Sequence, residues 1–184
     1  PALVSSRKYG DCKDMATLTT SMLRMAGIDA YMTWIGTRHI PYKYEEVPTP
    51  SVDNHMICAV KQKTGWIFLD ATGQFVKYGM PSMDIQSKEA LIGLDSVKFV
   101  IETVPVVEAA VNLFSDTLEL SIDNTALKGK GSRTMSGLAK YDLVSKWIGV
   151  SPSKRNESFA ELLKFGNNKC KTDSVFYFGF DDRD

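Results

Sequence analysis

The sequence predicts an α+β fold, and three observations point to it. Apolar residues recur at helical spacing over residues 12–26. Two short runs, 54–60 and 66–71, read as strands separated by a tight connection. From about residue 97, a second group of strand patterns is followed by two helical ones. An amphipathic helix beside a set of short strands must bury its apolar stripe against the sheet those strands form.

Residues 12–26 (CKDMATLTTSMLRMA) place Met15, Leu18, Met22 and Met25 or Ala26 on one face. Asp11 can cap the start, Asp14 suits the first turn, and Gly27 ends the helix. Residues 29–36 (DAYMTWIG) form a strand rich in aromatic and β-branched side chains. A long irregular loop follows from Thr37 to Val52 and holds the pair Tyr42 and Tyr44. A loop of that length in a compact domain is usually functional or mobile. Residues 54–60 (NHMICAV) are apolar on both faces after the first two positions, as in a central strand. The strand WIFLDA, 66–71, comes next, with Lys61 to Gly65 as the hairpin connection. Residues 73–95 are mixed and broken at Gly79-Met80-Pro81. Beyond them, 98–103, 116–122 and 126–134 read as strands, with a turn at Asp123-Asn124. Leu138, Tyr141, Val144 and Ile148 mark a helix ended by Gly149; Phe159, Leu162 and Leu163 mark another, and SVFYFGF, 174–180, is a final strand. This change of character places a domain boundary between residues 96 and 97.

Composition narrows the function classes. The 184 residues are 43% hydrophobic and 24% charged, the profile of a globular chain. A chain of this length folds without staples. Twenty-two basic and 22 acidic residues cancel, so nothing argues for a nucleic-acid partner or an anionic membrane surface. No apolar run approaches the roughly 20 residues of a membrane span. The chain begins at Pro1 without a signal-peptide pattern, which reads as a fragment or a processed chain. Its three cysteines, Cys12, Cys58 and Cys170, are odd in number and irregular in spacing. That is a poor disulfide framework and leaves at least one free thiol. Zinc held by Cys12, Cys58, Cys170 and His55 is discounted for want of a C-x-x-C pair, and no cofactor is called for.

The chemistry converges on three residues. With Asp11 as the cap, Cys12 is the first helical residue. There it meets the positive end of the helix dipole and unpaired backbone N–H groups, which favour a thiolate and can also hold an oxyanion. A lone cysteine is more commonly a small buried residue. A lone histidine at a strand entrance, such as His55, is more commonly structural. Asp70, an acid in an apolar run, costs energy unless paired, and otherwise reads as a turn-forming residue at the strand's end. Together the three gain weight. A hairpin closed by Val60 with Gly65 sets His55 directly opposite Asp70, with Cβ atoms about 5 Å apart on one face. The carboxylate then holds one ring nitrogen, and the other is free to meet Cys12 if the helix start abuts the hairpin. A one-residue slip would put His55 and Asp70 on opposite faces. Cys58 is three positions from His55 and points away from the site.

These residues resemble the transglutaminase-like superfamily. YGDCKDMATLTTSMLRMAGIDAY is similar to its nucleophile helix, NHMICAV to its histidine strand and GWIFLDATG to its Trp…Asp-x-Thr strand. The resemblance covers roughly residues 5 to 93. It implies a papain-like core, a Cys helix packed on an antiparallel sheet, in residues 1–96, followed by a smaller β-rich α+β region in 97–184. It implies a catalytic Cys12, His55 and Asp70 acting on peptide or protein amides. It looks closest to bacterial exported proteins, implying a periplasmic or extracellular location. The family's oxyanion donor has no assigned counterpart here. Trp66 matches the family's Trp; its main role is packing on the hairpin, and with Tyr42 and Tyr44 it is a candidate substrate contact. His39 reads as a loop residue. Two functions stay open: cysteine-dependent acyl transfer, hydrolytic in bacterial relatives, or a non-catalytic peptide-binding or assembly module on the same fold.

Overall fold

A computed structural model describes residues 1–164 and 167–180. They form two compact units, Pro1–Val107 and Glu108–Asp184.

The first unit opens with a short helix, α1 (Ala2–Arg7), and then α2 (Cys12–Met25). The start of α2 is fixed by a capping box: Asp14 N–H donates to Asp11 Oδ1 at 2.9 Å, and Asp11 N–H donates to Asp14 Oδ2 at 3.4 Å. Gly27, at φ 77°, lets the chain leave the helix in a left-handed turn. Five strands follow: β1 (Ala30–Ile35), β2 (His55–Gln62), β3 (Gly65–Leu69), β4 (Glu89–Gly93) and β5 (Phe99–Thr103). They form an antiparallel sheet in the order β3-β2-β1-β4-β5. The continuous apolar character of β2 matches its inner place between β3 and β1.

Each face of the sheet carries a core. On one face, Ile57 and Ala59 join Ile35, Phe68, Ala90 and Ile92, closed over by Ile85 and Val104 from the connecting segments. Ile35, Ile57, Ile85, Ile92 and Val104 are fully buried. Each contributes about 1.5–3 kcal/mol relative to an exposed side chain. On the other face, Ala30, Cys58 and Val60 meet Leu23 of α2. This second contact fixes the helix, and with it Cys12, over the inner strands.

Three expectations are corrected. The β2–β3 hairpin closes at Gln62 with Gly65, leaving a two-residue turn at Lys63-Thr64. Gly65 sits at φ 128°, which relieves the turn. The register thus lies two residues from the Val60–Gly65 closure, and β3 ends at Leu69, one residue before Asp70. The boundary at 96/97 would cut between β4 and β5, which pair from Glu89–Thr103 to Gly93–Phe99; the first unit instead runs to Val107. Residues 174–180 make no ladder and are irregular. Their apolar alternation is used for packing, with Tyr177 and Phe180 lying at 5.0 and 6.1 Å (ring centroids) from Phe159.

The second unit holds a hairpin of β6 (Phe114–Asp123) and β7 (Ala126–Met135), then α3 (Gly137–Trp147) and α4 (Pro152–Leu162). The Asp123-Asn124 turn is present, with Asn124 at φ 53°. Asp116 accepts two bonds from Arg133 across the hairpin, at 2.7 and 2.8 Å. Among its described residues, Val144, Phe159 and Phe180 are buried and apolar.

Candidate active site

The site is assembled from residues far apart in sequence, each delivered by the end of an element. Cys12 is the first residue of α2, half-buried and free of any disulfide. Gly10 makes its approach possible: a Cβ there would lie 2.6 Å from Asp14 Cβ and 3.2 Å from Val4 Cγ1. A side chain at position 10 would therefore push α1 and the start of α2 apart. His55 opens β2, opposite Ile35 of β1. Asn54, just before it, ties the loop to the strand: its Oδ1 accepts from Thr37 N–H and its Nδ2 donates to Thr37 Oγ1, both at 2.9 Å. Asp70 follows the last residue of β3.

Continuing the observed register would set Thr72, not Asp70, opposite His55. Asp70 lies diagonal to it on the same face, since a slip of two residues preserves side-chain parity. The contact forms all the same, with His55 Nε2 and Asp70 Oδ2 2.9 Å apart. The two side chains are 15% and 8% exposed. Because an ionised carboxylate only accepts, Nε2 carries the proton in this bond and Nδ1 is the other ring nitrogen. Cys12 lies near enough to His55 for its side chain to act on the ring as well. The structure therefore brings His55 and Asp70 together, with Cys12 close enough to influence the ring.

Their electrostatics are coupled. The hydrogen bond to Asp70 raises His55 from 6.5 to about 9, against the opposing effect of burial, with further help from the charge of Asp70 and from Cys12. Burial pushes the Asp70 carboxyl up. Hydrogen bonds from His55 and Thr72 outweigh it, and the group ends below the ordinary carboxylate range. Thr72 supplies two of those bonds, Oγ1–H to Oδ1 at 2.6 Å and N–H to Oδ1 at 3.1 Å. Ser82 Oγ donates to Oδ2 at 3.2 Å. Thr72 had a sequence signal, the Asp-x-Thr pattern. Ser82 had none, because it lies in an irregular stretch and reaches Asp70 only through the tertiary fold.

The other candidates fall elsewhere. Tyr42 and Tyr44 both border a shallow surface cleft with a cavity volume of only about 10 Å³, with Gly36, Lys43, Val47, Asp53, Lys88 and Glu89. Gly36 follows the residue of β1 that pairs with His55, so the cleft opens at the same end of the sheet. Tyr42 is exposed. Tyr44 is 8% exposed and donates its phenol to Asp53 Oδ2 at 2.5 Å. Burial first, and the Asp53 carboxylate second, raise Tyr44 far above an ordinary phenol. Trp66 lies four residues before Asp70, roughly 13 Å along the strand. It packs edge-on against Tyr31 at 5.6 Å, and its Nε1–H donates to Glu102 at 3.1 Å. The structure does not bring it to the three residues. His39 is exposed in the loop. Cys58 is fully buried on the α2 face, and burial raises its thiol. Among the described residues, no group of three or more His, Cys, Asp or Glu could hold a metal ion. Nor is any described helix long and apolar enough to cross a membrane.

An α+β unit with a cysteine-led helix on an antiparallel sheet is the class that fold and site define. Residues 1–71 match the family model of the transglutaminase-like superfamily, so this segment is transglutaminase-like, as its motifs indicate. No curated protein and no solved structure gives a significant match to the chain.

Proposed function

We propose that the protein carries out cysteine-dependent acyl transfer on amide or peptide substrates, with water as the acceptor, through Cys12, His55 and Asp70. One observation carries this reading: the His55 ring bonds Asp70 at 2.9 Å through Nε2, with Cys12 at the start of α2 near enough to act on the same ring. A ring raised to about 9 takes up a proton readily at neutral pH. The Cys12 proton passes to Nδ1 as the reaction begins, giving the attacking thiolate. The thiolate attacks the substrate carbonyl carbon, and the carbonyl electron pair moves to oxygen. Backbone N–H groups at the start of α2, which have no helical acceptor, lie beside that oxygen. Collapse breaks the C–N bond, and the amine leaves with the Nδ1 proton. Water then gives a proton to Nδ1 and attacks the thioester, releasing the acid and restoring the thiolate. Asp70 holds the ring in the required tautomer and stabilises its charge throughout. The cleft bordered by Tyr42 and Tyr44 is the proposed substrate approach. The periplasmic or extracellular bacterial location is part of the proposal and rests on the resemblance to exported proteins alone.

The test is alkylation by iodoacetamide across pH, read per cysteine by peptide mapping. Rapid Cys12 labelling well below pH 8, lost in His55→Ala, is expected. Labelling with the profile of an ordinary free thiol, unchanged in His55→Ala, would reject the chemistry and leave a binding or assembly module.

A further inference from the structure

Asp70 is held more completely than a simple orienting carboxylate requires. Its Oδ1 takes both bonds from Thr72, two residues on in sequence. Its Oδ2 takes His55 at 2.9 Å and Ser82 Oγ at 3.2 Å. These four donors match the number of lone-pair sites on a carboxylate. Thr72 alone cannot set the plane of the group. With only Oδ1 tethered, the carboxylate still turns about its terminal bond, and the torsion preference of Asp there is broad. A second donor on Oδ2, arriving from another direction, removes that freedom.

Ser82 is suited to the task because its own turn is fixed. Ile85, three residues on, is fully buried, and its N–H returns to Ser82 O at 3.3 Å. Gln86, 5% exposed, clamps the same turn: its Nε2 donates to Pro81 O at 3.1 Å and its Oε1 accepts from Val107 N–H at 3.0 Å. A hydroxyl presented by a turn tied to the core and to the end of the first unit is preorganised, not one sampling rotamers on the surface.

We infer that Ser82 is a positioning residue: it fixes the plane of the Asp70 carboxylate so that Oδ2 faces Nε2 of His55. The inference rests on the Cys12–His55–Asp70 reading above. It excludes a simpler role, in which Ser82 only satisfies a buried oxygen. The two roles predict opposite signs. If Ser82 merely competes with His55 for Oδ2, its removal leaves the carboxylate more available, and the imidazolium becomes more stable. If Ser82 sets the plane, its removal lets the oxygen swing away, and the imidazolium becomes less stable.

The chain has only two histidines, His39 and His55, so an NMR pH titration of the intact protein resolves the ring directly. In Ser82→Ala the His55 midpoint should fall by about half a unit or more, short of the full drop in Asp70→Ala. Ser82→Thr, which keeps the hydroxyl, should restore it. A loss of loop packing alone would lower the melting temperature without moving the midpoint of the folded protein. A midpoint that stays or rises in Ser82→Ala, or that falls equally in Ser82→Thr, overturns the role of Ser82. A midpoint unmoved even by Asp70→Ala overturns the underlying His55–Asp70 reading instead.

Discussion

Replacing Asp70 by Asn tests the electrostatic core of the site through stability. In the folded protein His55 is held at about 9, against 6.5 for an unperturbed ring. At about 1.4 kcal/mol per unit, the difference amounts to about 3 kcal/mol of preference for the imidazolium in the native state. A group whose folded value lies above its unfolded value stabilises the fold fully below the unfolded value, here 6.5, and loses that contribution as pH rises through about 9. Wild type should therefore exceed Asp70→Asn by about 3 kcal/mol of pH-dependent stability at pH 6. That margin should shrink by about 1.4 kcal/mol per pH unit above 6.5 and vanish by about pH 10. A smaller constant difference will remain, from the bonds of Thr72 and Ser82. Asp70 itself works in the other direction. Its lowered carboxyl contributes stability above its ordinary value of 3.8, which is lost as pH falls below it. Equilibrium urea denaturation from pH 5 to 10 measures the margin, and Trp34 and Trp66 report on the first unit by fluorescence. The same comparison in a Cys12→Ala background removes the thiol's own titration. A wild-type margin that stays flat from pH 5 to 10 would refute the argument, because no proton would then be held more tightly by the native pair.

Other substitutions check the scaffold around the site. Asp11→Ala removes the cap on α2 and should cost about 1 kcal/mol, read by thermal melting, with slower Cys12 alkylation as the first turn frays. Ile57→Ala empties a fully buried position in the sheet core and should cost about 2–5 kcal/mol in urea denaturation. Tyr44→Phe removes the donor to Asp53, whose carboxyl is already raised by burial. It should cost about 1–3 kcal/mol at pH 7 and less in acid, as Asp53 takes up a proton; equal cost at pH 7 and pH 4 would contradict that account.

Much of the candidate site's scaffold was legible because its signals are local. A cap, a cysteine at the first helical position and an apolar stripe define α2 within a few residues, and Asp11, Asp14 and Gly27 act as their chemistry predicts. The hairpin shows a subtler case. Its closing pair is displaced by two positions from the expected one, yet His55 and Asp70 still share a face because strand periodicity is two. What escaped was nonlocal. β4 (EALIG) is too short to show a periodicity, and only its place beside β1 makes it a strand. The boundary moved because ladder bonds between β4 and β5 leave no trace in composition. SVFYFGF has every local mark of a strand, but its aromatic rings pack on Phe159 and no ladder forms. Ser82 is an ordinary turn residue until the core places it against Asp70.

The order β3-β2-β1-β4-β5 has a consequence for when chemistry begins. Cys12 is made early in synthesis, His55 and Asp70 much later, and Ser82 and β4 later still. A ribosome-bound chain that has just extruded Asp70 has an inner sheet open along one margin, and its carboxylate lacks one of its donors. Cys12 is thus delivered long before His55 and Asp70, and their common setting waits for nearly the whole first unit.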